Sequence, residues 1–162
     1  KLEDATAVLD AFHVVKLATA VVDWGSLPLA GAVRRRVQQD IHGHRGRKND
    51  PLYRVRNILR AGQEHLTDRQ RARLHAAFTA REEHVEVELA WRCAQQVRAA
   101  YHQDSHAAGR AIAEKIAARL HTCPIPEVAR LGATLRRWRS EFLGYFDTDG
   151  ASNPTRATGV RH

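Results

Sequence analysis

Apolar positions along the chain change rhythm several times. Residues 5–9, Ala-Thr-Ala-Val-Leu, are a short apolar run bounded by charge, the pattern of a buried strand, and Asp10 closes it. From Ala11 to about Val22 the spacing turns helical, with Phe12, Val15 and Ala18–Thr19 on one side. "WGSLPLAG", residues 24–31, interrupts with two glycines and a proline and reads as a loop. "HGHRGRKND", residues 42–50, has no apolar period and predicts an exposed, mobile loop.

From Asp50 onward the pattern is helical and well punctuated. Asp50 can cap and Pro51 suits the first position of a helix over 51–62, striped by Leu52, Val55, Ile58 and Leu59, with Gly62 just past its end. Thr67 and Gln70 form a capping box for a helix over 67–80, because each side chain can satisfy the other's free backbone donor. Residues 84–102 carry Leu89, Ala90, Cys93, Ala94, Val97 and Tyr101 at helical spacing. Ser105 caps a helix striped by Ile112, Ile116 and Leu120. Val128, Leu131, Leu135, Trp138, Phe142 and Tyr145 then predict one long amphipathic helix over 126–146. Five successive helices with short connections argue for an antiparallel bundle. Residues 147–162 are rich in turn formers and predict a disordered tail.

Composition sharpens this picture in three ways. A hydrophobic share of 43% over 162 residues permits one domain with a real core, and no apolar run is long enough to span a membrane. Cys93 and Cys123 are too few and too distant for a zinc knuckle or a disulfide framework, so a reducing cytoplasm is expected. The chain has no methionine and opens on Lys1, so a piece of something longer is expected. The net charge of +8 favours a polyanionic partner, and it is concentrated: nine Lys or Arg face two Asp between Arg34 and Arg60. Arg34, Arg35, Arg36, Arg45, Arg47 and Lys48 are the densest part, and such a segment can neutralise DNA phosphates without reading sequence.

Few residues carry chemistry by pattern alone. Asp10, at the end of an apolar strand, is placed as a metal ligand or catalytic acid would be, but more core strands end on Asp because it starts a turn or caps the next helix. His13 follows three residues later and reads as a structural hydrogen-bonder or a neighbour of the same site. His42 and His44 make an H-x-H pair with no cluster to complete four ligands. Cys93 reads as core, and phosphate-binding glycine loops are absent.

The stretches "VLDAFHVVKLA", "VRRRVQQDIHGHRGRKNDPLYRVRNIL", "LTDRQRARL", "WRCAQQVRAAYH" and "TCPIPEVARLGATLRRWRSEFLGYFDTDGASN" together resemble DDE-class insertion-sequence transposases, specifically the actinobacterial group of the ISL3 family. The resemblance covers nearly the whole chain. It implies a ribonuclease-H-like core in which two Asp and one Glu hold two divalent ions, normally magnesium, for cleavage and strand transfer of DNA. It maps the second Asp onto Asp10 as a catalytic and metal-binding residue. It also implies a largely helical insertion between that Asp and the Glu, and homo-oligomers in the intact parent.

The chain also departs from that pattern. The first Asp would lie before Lys1, "WGSLPLAGA" looks like an extra insert, and Arg156 stands where the Glu of an S-N-G-P-T-E-A-like motif is expected after Ser152 and Asn153. The expectation is therefore a mainly α protein: residues 1–31 a strand–helix remnant of the ribonuclease-H-like α/β core, 32–146 an antiparallel helical insertion domain with a basic loop, and 147–162 a tail. It is expected to contact DNA backbone, to bind no magnesium itself and to be inactive alone. The rival expectation is a stand-alone helical DNA-binding or interaction module.

Overall fold

The computed structural model describes residues 29–147, which are mainly helical and contain no strand. The strand and helix expected over 5–22, with Asp10 and His13, lie outside the described residues, as do 148–162 of the expected tail. The helices are α1 (Leu29–His42), α2 (Pro51–Arg54), α3 (Asp68–Thr79), α4 (Val85–Tyr101), α5 (His106–Arg119), α6 (Pro126–Arg137) and α7 (Arg139–Asp147). Single 3-10 turns at Ile58–Arg60, Gln63–His65, Glu82–His84 and Leu120–Thr122 connect them.

Helix α1 already includes Leu29, Ala30 and Gly31, which the glycine and proline nearby had marked as loop. Leu29, Val33 and Val37 recur at four-residue steps and are all buried, so this stretch has a core face between its arginines. The expected boundary at 31/32 thus falls inside a helix. At the other end Asp147 closes α7 rather than opening a tail, and its Oδ1 accepts from Arg110 Nε at 2.7 Å.

The local punctuation is partly as expected. Gln70 N–H donates to Thr67 Oγ1 at 3.2 Å and Thr67 N–H to Gln70 Oε1 at 3.0 Å, completing the capping box. Ser105 Oγ accepts from Ala108 N–H at 3.1 Å. Asp50 has the extended backbone of a cap but makes no cap hydrogen bond. Its Oδ2 turns back and accepts from Arg47 N–H at 2.6 Å. Helix α2 lasts one turn, although Leu52, Val55, Ile58 and Leu59 are all buried as the stripe requires. The chain bends after Arg54, so that α2 packs on α3 while the Ile58–Arg60 turn reaches α1. Gly62 is not a left-handed terminator, since its φ is −64°. The side-chain ends of Arg98 and Glu64 lie over it, 2.4 and 2.6 Å from where an added Cβ would sit.

Helix α4 is central, packing on α1 and α5, with α3 and the 82–84 turn along its start. Its buried apolar positions are Val87, Ala90, Ala94, Val97 and Ala100, whereas Leu89 is exposed. The single helix expected over 126–146 breaks at Trp138, whose φ and ψ are −103° and 31°. The break lets α6 lie against the Leu120–Thr122 turn and α5 while α7 follows α5 with Phe142, Leu143 and Phe146 buried. Glycines permit two close approaches: a Cβ on Gly132 would meet the backbone of Leu120 and His121, and one on Gly109 the carbonyl of Ala100. Among the described residues no helix is long and apolar enough to cross a membrane.

Candidate nucleic-acid interface

The basic segment folds as a compact loop between α1 and α2. Gly43 N–H caps α1 by donating to Gln39 O at 2.9 Å, and Gly43 and Gly46 take positive φ of 72° and 116°, conformations open to glycine. Asp50 closes the loop from the far side, with Asp50 N–H donating to Arg47 O at 2.9 Å. Gly46 N–H donates to His44 Nδ1 at 3.2 Å, and Asp50 Oδ2 lies 3.7 Å from the same nitrogen. The loop predicted to be mobile therefore has its own hydrogen bonds. It lifts Arg45, Arg47 and Lys48 into solvent.

This loop forms one wall of a cleft of about 630 Å³ lined by Gly46, Arg47, Lys48, Asn49, Tyr53, Arg54, Arg56 and Arg73. Five of these eight residues are cations and none is an acid. The cations come from the loop, from α2 and the turn after it, and from α3. Arg56 is held in place by two contacts: its guanidinium lies 4.1 Å from the Tyr53 ring centroid and its Nη1 donates to Tyr53 O at 2.9 Å. Arg73 Nη2 reaches Arg54 O at 3.4 Å. Converging cations without a carboxylate form an anion-binding surface, and fixed guanidinium planes suit phosphate oxygens.

The expected site residues divide into two groups. Arg45, Arg47 and Lys48 are exposed, and Arg35 is half-buried. Arg34 points inward and is 6% exposed. Its Nη1 donates to Gln38 Oε1 at 2.5 Å and to Arg45 O at 3.2 Å, and no carboxylate pairs with it among the described residues. Burial, then the neighbouring Arg35 and Arg56, push its guanidinium below the ordinary value, although an arginine stays charged. Arg36 is engaged elsewhere: Nε and Nη2 donate to Glu127 at 2.5 and 3.1 Å, and Nη1 to Glu86 at 3.3 Å. The Glu127 hydrogen bonds raise the Arg36 pKa against the opposing effect of burial. Arg54 and Arg56 belong to the charged stretch between Arg34 and Arg60, whereas folding brings Arg73 of α3 to the loop. Arg54 and Arg56 share one predicted helical segment and Arg73 lies on the next.

A family model described as a transposase, of the DDE-type ISL3 family, matches residues 1–155. The chain belongs to the ISL3 transposase family. No curated protein and no solved structure matches it. Membership of this transposase family implies interaction with DNA, and DDE transposases generally use magnesium. Among the described residues no group of three or more His, Cys, Asp or Glu is placed to hold a metal ion. His42 and His44 stack at 5.4 Å between ring centroids without a third ligand. Asp10, the carboxylate that the transposase resemblance singles out, lies outside the described residues, so no cleavage step is assigned to the helical body.

Proposed function

We propose that the helical body is the part of this transposase that grips the DNA backbone, with the cleft between the 43–50 loop, α2 and α3 as its contact surface. The observation that carries this reading is a concave surface with five cations and no acid. Phosphate oxygens would meet Arg47, Lys48, Arg54, Arg56 and Arg73, with Arg45 and Arg35 extending the basic surface. Such contacts fix position along the strand and read no bases. Asp10 is proposed as one of the metal-holding carboxylates of the family's cleavage chemistry, on the strength of the "VLDAFHVVK" match. The chain alone is proposed to leave DNA uncut, because Arg156 stands where the family pattern has its Glu.

Duplex affinity measured at two salt concentrations tests the first part. If about three to five phosphates are contacted, affinity falls about a hundredfold between roughly 50 and 200 mM salt, whatever the sequence. Binding that is absent, or indifferent to salt, overturns it. Magnesium-dependent nicking by the purified chain overturns the second part.

A further inference from the structure

Two residues behind the cleft wall are buried at a cost that local packing does not explain. Arg34 and Gln38, one turn apart on α1, are 6% and 1% exposed. Arg34 Nε and Gln38 Nε2 have no hydrogen-bond partner among the described residues. A buried, unpaired guanidinium and orphaned donors are each destabilising. What the pair does hold is the loop. One Arg34 nitrogen, Nη1, bridges the Gln38 side-chain carbonyl and the Arg45 backbone carbonyl, so the loop is tied to α1 at its centre. Gly46 rests directly on Gln38: a Cβ there would lie 2.5 Å from Gln38 Oε1 and 3.0 Å from Cδ. Gln38 is enclosed and hydrogen-bonded, so it has little room to yield. The same Arg34 guanidinium lies 5.6 Å from the ring centroid of Tyr53, which lines the cleft with Gly46.

We infer that Arg34 and Gln38 are positioning residues: without touching DNA, they preform the phosphate-binding wall by holding the 43–50 loop down on α1. The inference rests on the reading of the cleft as a DNA-backbone site. It assigns Arg34 a role different from that of the exposed cations beside it. Gln38 becomes part of the site although it carries no charge. Gly46 is then required for close approach as well as for its positive φ.

The informative variant is Gln38→Leu, because it removes no charge. Two readouts follow on protein shown to keep its helical circular dichroism. The first is trypsin nicking after Arg45, Arg47 and Lys48, which tracks loop opening and needs no DNA. It is expected to rise about tenfold or more. The second is the slope of log affinity against log salt on a duplex. It is expected to shrink by roughly one to two units as Arg47 and Lys48 lose their posts, although every cation is still present. Gln38→Glu keeps the acceptor for Arg34 and is expected to nick like the wild type. If Gln38→Leu does not fold, Gly46→Ala makes the same test from the loop side. Gly43→Ala, where no atom lies within 4 Å of an added Cβ, controls for backbone strain alone. A folded Gln38→Leu or Gly46→Ala protein with wild-type nicking overturns the inference, as does Gln38→Glu nicking as fast as Gln38→Leu. Wild-type protein that fails to bind duplex overturns the DNA reading instead, and the nicking comparison still decides whether the loop is held in this way.

Discussion

Arg36 of α1 and Glu127 of α6 are 91 positions apart and meet in a two-pronged pair, Nε to Oε1 at 2.5 Å and Nη2 to Oε2 at 3.1 Å. The guanidinium also reaches Glu86 on α4, at 3.3 Å, and Asp40 one turn along α1, at 3.5 Å. One arginine thus ties three helices. Replacing Glu127 with Gln is expected to lower unfolding stability by about 1–3 kcal/mol, the range for charge-assisted hydrogen bonds. Urea denaturation measures it. Arg36→Gln is expected to cost a similar amount while leaving the salt slope of DNA binding unchanged, because Arg36 faces carboxylates.

The same pair sets a pH dependence. Burial pushes the Glu127 carboxyl up, but the hydrogen bond from Arg36, a backbone hydrogen bond and the charges of Arg36 and Arg130 outweigh it, so the net shift is downward. A carboxyl that binds protons less readily folded than unfolded stabilises the fold above its unfolded pKa, about 4.3. That contribution disappears as pH falls through the folded value. Wild-type stability is therefore expected to drop more steeply than that of Glu127→Gln below about pH 5, with the two curves converging in acid. Parallel acid titrations followed by circular dichroism check this, and a constant gap between the curves rules it out.

The cleft cations should behave as independent phosphate contacts. Arg54→Gln, Arg56→Gln and Arg73→Gln are each expected to weaken binding to any duplex by a similar factor and to reduce the salt slope by about 0.9. Fluorescence anisotropy with two unrelated sequences separates this uniform loss from a sequence-specific one.

How much of this was legible in the sequence follows from how local each feature is. The Thr67–Gln70 box and the Ser105 cap span four residues each, and the structure contains both. The mainly helical character was equally readable, because apolar stripes repeat over many turns. Leu89 fits the helical spacing and is nevertheless exposed, because α4 is apolar on more than one side and only its neighbours decide which face is buried. The break at Trp138 has no proline or glycine to announce it and comes from α6 and α7 meeting different surfaces. The basic loop was visible as a charge run. Arg73 joins it only through tertiary structure, and partners of Arg34 and Arg36 lie 11 and 91 positions away.

Two glycines with opposite surroundings make a paired prediction. Gly132→Ala would drive a methyl into the backbone of Leu120 and His121, which cannot step aside as a side-chain end could. A loss of about 1–3 kcal/mol is expected, exceeding the gain in helix propensity. Gly144, in α7, has no atom within 4 Å of an added Cβ, so Gly144→Ala is expected to stabilise by about 0.5–1 kcal/mol. Thermal denaturation of both variants should move the midpoint in opposite directions.

The Arg36–Glu127 pair also fixes an order of events at the ribosome. Helix α1 is among the first parts of the helical body to be synthesised, and α4 can cover its apolar face well before α6 exists. Its ionic clasp has no partner in Glu127 until another 91 residues have been added, roughly 5–20 s at ordinary elongation rates. Among the described carboxylates Asp40 is present to hold Arg36 from the start, Glu86 arrives 50 residues later, and the side that α6 covers is closed last.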